Sequence, residues 1–131
     1  MIRNGIAATG LLAVVVIGAS ALVLAAQDSD SQIAQGKYLV ERVAICTNCH
    51  GPGLQGAAVE FRPIRKIPNW SDKTPGIAGL RGWSRPAAVK FLSTGVTPDG
   101  KRPNPPMLPY RLNAGDAEAV VAYLKSLQVA K

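Results

Sequence analysis

The chain has 131 residues, 47% of them apolar and only 5% aromatic, and carries a formal net charge of +7. That length allows one domain of about 100 residues plus a hydrophobic N-terminus. Two cysteines leave no spare pair for a disulfide, and the basic residues are scattered along the chain, so no nucleic-acid partner is expected.

Arg3 is the only charge before a long apolar run from Gly5 to Ala26. As a helix this run would span about 33 Å, enough to cross a bilayer core. A secretory signal has a shorter apolar centre of about 7–15 residues, so residues 1–26 read as a retained membrane anchor. Cleavage near Ala25 or Ala26, which would release a soluble periplasmic protein, is the competing reading. Arg3 lies before the run and Asp28 and Asp30 lie after it. The positive-inside rule then puts the N-terminus in the cytoplasm and the remainder outside. Residues 27–32 form a polar linker that reaches about 20 Å at most, which keeps the domain at 33–131 close to the membrane surface.

The first helix of that domain is expected from Ser31 or Gln32 to Cys46. Gly36, Leu39, Val40 and Val43 fall at i, i+3, i+4 and i+7, one apolar stripe. Glycine on that stripe lets another helix approach closely. Next comes Cys46-Thr47-Asn48-Cys49-His50, the C-x-x-C-H pattern by which c-type haem is attached. Two thiols on one helical turn can each form a thioether with a haem vinyl group, and the following imidazole is placed to bind the iron. A thioredoxin-type site wants a neighbouring βαβ unit, and a structural zinc site wants four Cys or His ligands. The chain has no such pattern and no further Cys or His.

Residues Gly51 to Gly82 are rich in Gly and Pro without a sustained period, and read as loops with at most one short helical turn. They hold a basic cluster of Arg62, Arg65 and Lys66. Haem carries two propionates, and a partly buried anion needs paired donors. One of these residues or Arg81 could serve, with an indole N–H from Trp70 or Trp83. Taken singly, each reads first as a solvated charge or a packed indole. Ser84 as N-cap and Gly95 at C′ bound a short helix that buries Ala88, Phe91 and Leu92.

After a turn at Thr97-Pro98-Asp99-Gly100 comes Pro105-Pro106-Met107-Leu108-Pro109. Met107 is the only methionine besides Met1, and no second histidine exists. Prolines fix φ and stiffen a loop, so Met107 is the candidate second axial ligand opposite His50. The last helix begins at Asn113, with Asp116 at N3 in a capping-box arrangement. Ala117, Val120, Val121, Leu124 and Leu127 form its apolar stripe, which is expected to cross the first helix near Gly36 with Tyr123 at the contact. No segment alternates as a strand does, so the fold is expected to be all-α.

These residues together resemble a class I c-type cytochrome over roughly Gln32 to Leu127. Gly36-Lys37-Tyr38-Leu39, Thr74-Pro75-Gly76-Ile77, Gly82-Trp83-Ser84, Pro106-Met107 with Pro109-Tyr110, and Ala122-Tyr123-Leu124 are similar to cytochrome c domains of membrane-bound dehydrogenase complexes. The resemblance implies an all-α cytochrome c fold whose N- and C-terminal helices cross. It also implies one covalent haem c on Cys46 and Cys49, with His50 and Met107 on the iron.

The expected function is one-electron transfer between a donor and an acceptor protein at the outer face of a bacterial inner membrane, within or beside a respiratory or dehydrogenase complex. His/Met ligation fills both axial positions, which suits electron transfer better than catalysis. The alternative, a haem enzyme or gas sensor with a labile sixth ligand, needs an open iron position and usually a distal acid–base residue. Without Arg3 the chain still carries +6, 14 basic against 8 acidic residues. Such a surface steers toward an acidic docking face or anionic lipid heads.

Overall fold

Helix α1 covers residues 29–38, so the end of the expected linker at 29–32 is already helical. The computed structural model describes residues 29–129. The expected anchor, residues 1–26, lies outside them. Among the described residues no helix is long and apolar enough to cross a membrane.

Helix α1 does not continue in α form to Cys46. Leu39–Val43 winds as a π turn, closed by the Ala44 amide donating to the Leu39 carbonyl at 2.8 Å and the Cys46 amide to the Val40 carbonyl at 2.9 Å. Leu39 and Val40 are buried as their stripe predicts, but Val43 is 57% exposed. The wider turn rotates position 43 off the face it would occupy in an α-helix. Ile45 then takes a positive φ of 47°, and the chain turns into the single-turn helix α2, Thr47–His50.

The stretch that follows is looped but not formless. Short 3₁₀ turns form at Pro52–Leu54 and Ala78–Leu80. Between them β1, Ala57–Ala58, pairs antiparallel with β2, Lys73–Thr74. This two-residue ladder corrects the expectation of a chain without strands. Two residues are too few to show an alternation. The described unit is otherwise helical.

Helix α3, Arg85–Thr94, starts where Ser84 Oγ accepts from the Ala87 amide at 3.3 Å and ends at Gly95 in the left-handed region. Helix α4, Ala114–Ser126, starts where Asn113 Oδ1 accepts from the Asp116 amide at 2.9 Å. Asp116 returns the contact to the Asn113 side-chain amide at 2.8 Å, not to its backbone N–H as a capping box would.

Helices α1 and α4 cross at Gly36. A Cβ there would overlap the Ala119 carbonyl and lie 2.8 Å from Tyr123 Cβ, so only a residue without a side chain permits this approach. Ala119 is buried as a result, although it is absent from the predicted stripe. Tyr123 Oη donates to Glu41 Oε1 at 2.6 Å across the crossing. Leu39, Val40, Leu54, Ala78, Val120 and Leu124 complete the buried cluster around it.

Candidate functional site

The attachment motif is built on one turn of backbone. Cys46 stands at the N-cap of α2 with helical φ and ψ, and its carbonyl accepts from the His50 amide at 2.8 Å and the Cys49 amide at 3.3 Å. Both cysteines are half-buried and neither forms a disulfide. Burial pushes the Cys46 thiol above its ordinary pKa. Gly51 follows with φ of 75°, and a Cβ there would lie 2.9 Å from the Gly56 carbonyl oxygen. The chain can therefore fold back under His50 only through glycine.

His50 is 6% exposed, and its Nδ1 lies 2.8 Å from the Pro75 carbonyl oxygen. A carbonyl only accepts, so Nδ1 carries the proton and donates. In the neutral ring this leaves the Nε2 lone pair free for a metal and fixes the ring plane.

The Pro75 carbonyl is itself held in place. Thr74 Oγ1 donates to the Cys49 carbonyl at 2.6 Å and accepts from the Ala57 amide at 3.2 Å. The Ile77 amide donates to the Leu54 carbonyl at 2.8 Å, and a Cβ on Gly76 would sit 2.7 Å from the Gln55 carbonyl oxygen. Residues 71–75 thus form a strap. One end is fastened to α2 and the other to the proline loop, where the Ser71 amide donates to the Pro105 carbonyl at 2.7 Å.

That loop carries Met107, half-buried, its amide bonded to the Asn104 carbonyl at 3.1 Å. Tyr110 Oη donates to the Ala44 carbonyl at 3.1 Å, tying the loop to the turn that leads into Cys46. The Leu112 amide donates to the Leu92 carbonyl at 3.1 Å and ties it to α3. Met107 is thereby brought near His50. The Tyr110 hydroxyl is pushed above its ordinary pKa, first by burial and then by negative charge at Cys46 and Cys49. The charge contribution vanishes once the sulfurs are thioethers.

Of the expected propionate partners, Arg62 pairs with Asp72 at 2.8 Å. Trp83 packs edge-on against Phe91, ring centroids 5.3 Å apart. Arg65, Lys66 and Arg81 are exposed. Trp70 differs: its Nε1 is buried without an acceptor, alone among the buried side-chain polar atoms of the described residues. The role of Pro75 was not derivable from spacing, because every residue has a carbonyl and only the fold selects one. In the sequence, Thr74-Pro75-Gly76-Ile77 is distinguished only by its family resemblance.

Two thiols and an imidazole on one turn, with the imidazole tautomer set for metal binding, form a donor set that fits a covalently attached haem. The cytochrome c family matches residues 33–128, which is most of the chain. No curated protein and no solved structure matches it. With this site at the centre of the matched region, the chain belongs to the cytochrome c family, carries covalently attached haem c with its iron, and works in haem-based electron transfer.

Proposed function

We propose that Cys46 and Cys49 hold the haem as thioethers, that His50 Nε2 and the Met107 sulfur are its axial ligands, and that the protein is a one-electron carrier on the periplasmic side of a bacterial inner membrane. The observation that carries the ligand assignment is the His50–Pro75 hydrogen bond at 2.8 Å. It spends the one ring proton on Nδ1 and leaves Nε2 as a donor to metal. Met107 is the only internal thioether and no second histidine exists.

When bound, the haem supplies an iron that accepts and releases a single electron. The protein's own residues limit the rearrangement that accompanies this exchange. Pro75 keeps the imidazole from rotating. Prolines 105, 106 and 109 stiffen the loop around Met107. Tyr110 and Ser71 fasten that loop at two points. Burial of His50 itself keeps bulk water from most of the ring.

The anchor at residues 1–26, the linker and the positive-inside argument support a single-pass membrane protein beside or within a respiratory or dehydrogenase complex. Its donor and acceptor are redox proteins of that complex.

The test is an optical spectrum and an intact mass on the chain purified in mild detergent. Haem added to the polypeptide mass, a far-red sulfur-to-iron band lost in Met107→Ala, and co-purifying subunits are the expected results. A band unchanged in Met107→Ala removes the sulfur ligand from the reading. A cytochrome that purifies without companions removes the complex.

A further inference from the structure

The loop between β1 and β2 is closed at its base and apolar at its tip. The base is held by the two-residue ladder, by the Val59 amide donating to the Asp72 carbonyl at 2.9 Å, and by Arg62 pairing with Asp72 at 2.8 Å. Phe61 packs edge-on against Trp70 across it, ring centroids 5.7 Å apart. Residues 61–70 between these fastenings form neither helix nor strand, and Pro63 and Pro68 stiffen the path.

A loop tip is ordinarily polar. Here Ile64 is 106% exposed, so it packs against nothing in the described unit. Phe61 and Ile67 are exposed too, and the three apolar residues recur every third position. Single exposed apolar residues are ordinary on a protein surface, but these alternate with Arg62, Arg65 and Lys66, and residues 61–70 contain no acid. Arg65 and Lys66 form no ion pair among the described residues.

Apolar side chains set between cations suit the boundary of an anionic bilayer. The apolar groups enter the acyl edge while the long basic stems reach back to the headgroups. Each such cation favours contact with an anionic surface about five-fold. A protein partner would need a pocket for a lone protruding isoleucine; a lipid surface takes it without one. The bilayer is also the surface at hand, since α1 begins at residue 29, directly after the apolar run that ends at Ala26.

We infer that the 61–70 loop is a second membrane contact, in which Ile64 enters the interface of a bilayer whose anionic headgroups are held by Arg65 and Lys66. This inference rests on the membrane reading proposed above, which supplies the bilayer.

The test uses the full-length haem-loaded chain, reduced so that low-spin iron is diamagnetic, with its isoleucine methyls ¹³C-labelled. It is placed in nanodiscs of mixed phosphatidylglycerol and phosphatidylcholine that carry a nitroxide-headgroup lipid. Ile64→Val assigns the Ile64 methyl by loss of its signal. Nitroxide relaxation of that methyl is expected to be several-fold stronger than that of Ile45, which is 44% exposed but lies outside the loop. The excess is expected to vanish in phosphatidylcholine alone and in the double variant Arg65→Gln/Lys66→Gln, with the haem spectrum reporting that the variant is folded.

Equal relaxation of Ile64 and Ile45 in the anionic discs would overturn the inference. So would an excess that persists in phosphatidylcholine or in the double variant. An Ile64 signal shifted by a co-purifying subunit in lipid-free detergent, and restored by salt, would overturn it in favour of an acidic protein face. Failure of the anchor is read separately. A chain that leaves the discs in a high-salt wash is not held by residues 1–26, whereas the Ile64 excess at low salt reports on the loop alone.

Discussion

Thr74 has a single hydroxyl proton and gives it to the Cys49 carbonyl, the shortest contact it makes. Thr74→Val keeps the shape and removes both hydrogen bonds of that oxygen. The expected cost is about 1–3 kcal/mol, read as a lower denaturation midpoint, and the His50 carbonyl partner is freed to shift. Covalent haem should remain, since neither cysteine is touched. Tyr123 makes a different kind of prediction. Burial, then the hydrogen bond to Glu41, then the charge of that carboxylate push its hydroxyl up to about 12. The folded protein therefore holds the proton between about pH 10 and 12, where the unfolded chain has released it. The contribution to stability is full below about pH 10 and declines as pH rises toward 12. In Tyr123→Phe this part of the alkaline decline should be absent when unfolding is followed against pH. At this scale the sequence shows residue types that are scarce. One histidine, two cysteines and one internal methionine are legible by counting. Backbone partners such as the carbonyls of Pro75 and Ala44 are not, because they become special only when the fold brings a donor to them.

The element that organises the packing is the crossing of α1 and α4. Gly36→Ala would drive a methyl group into the Ala119 carbonyl, and the helices would have to separate. The expected loss is about 1–3 kcal/mol from overpacking, read as a fall in melting temperature of the haem-loaded protein. Ala119→Gly in the same chain should not rescue it, because the obstacle is backbone. This contact was readable in advance from a glycine on an apolar stripe facing a second stripe. The caps at Ser84 and Asn113 were readable from the side chains that make them. The π turn was not. Leu39–Val43 has the composition of an ordinary α-helix, and the Tyr110 hydroxyl that bonds to the Ala44 carbonyl at its end comes from a distant loop. The β1–β2 pair was equally silent, since its register is set by Thr74 and by the strap, not by apolar alternation.

Across the whole molecule, charge is the dominant feature legible from composition. A net +7 acts over about 8 Å at physiological salt. Electron exchange with an acidic partner should therefore slow steeply as salt is raised, in a stopped-flow series at fixed pH. Rates that do not change with salt would mean that steering contributes nothing. The strap at residues 71–75 has a wider implication. It joins the loop that carries Met107 to the carbonyl that orients His50, so the two proposed ligands are tied to one short length of chain. Adding a residue between Ser71 and Pro75 would disturb both attachments together, whereas an insertion between Phe61 and Asn69 would lengthen a surface loop and leave that spacing intact. Variation in loop length among relatives, or in engineered versions of this protein, should accordingly collect on the near side of Trp70 and stop abruptly there.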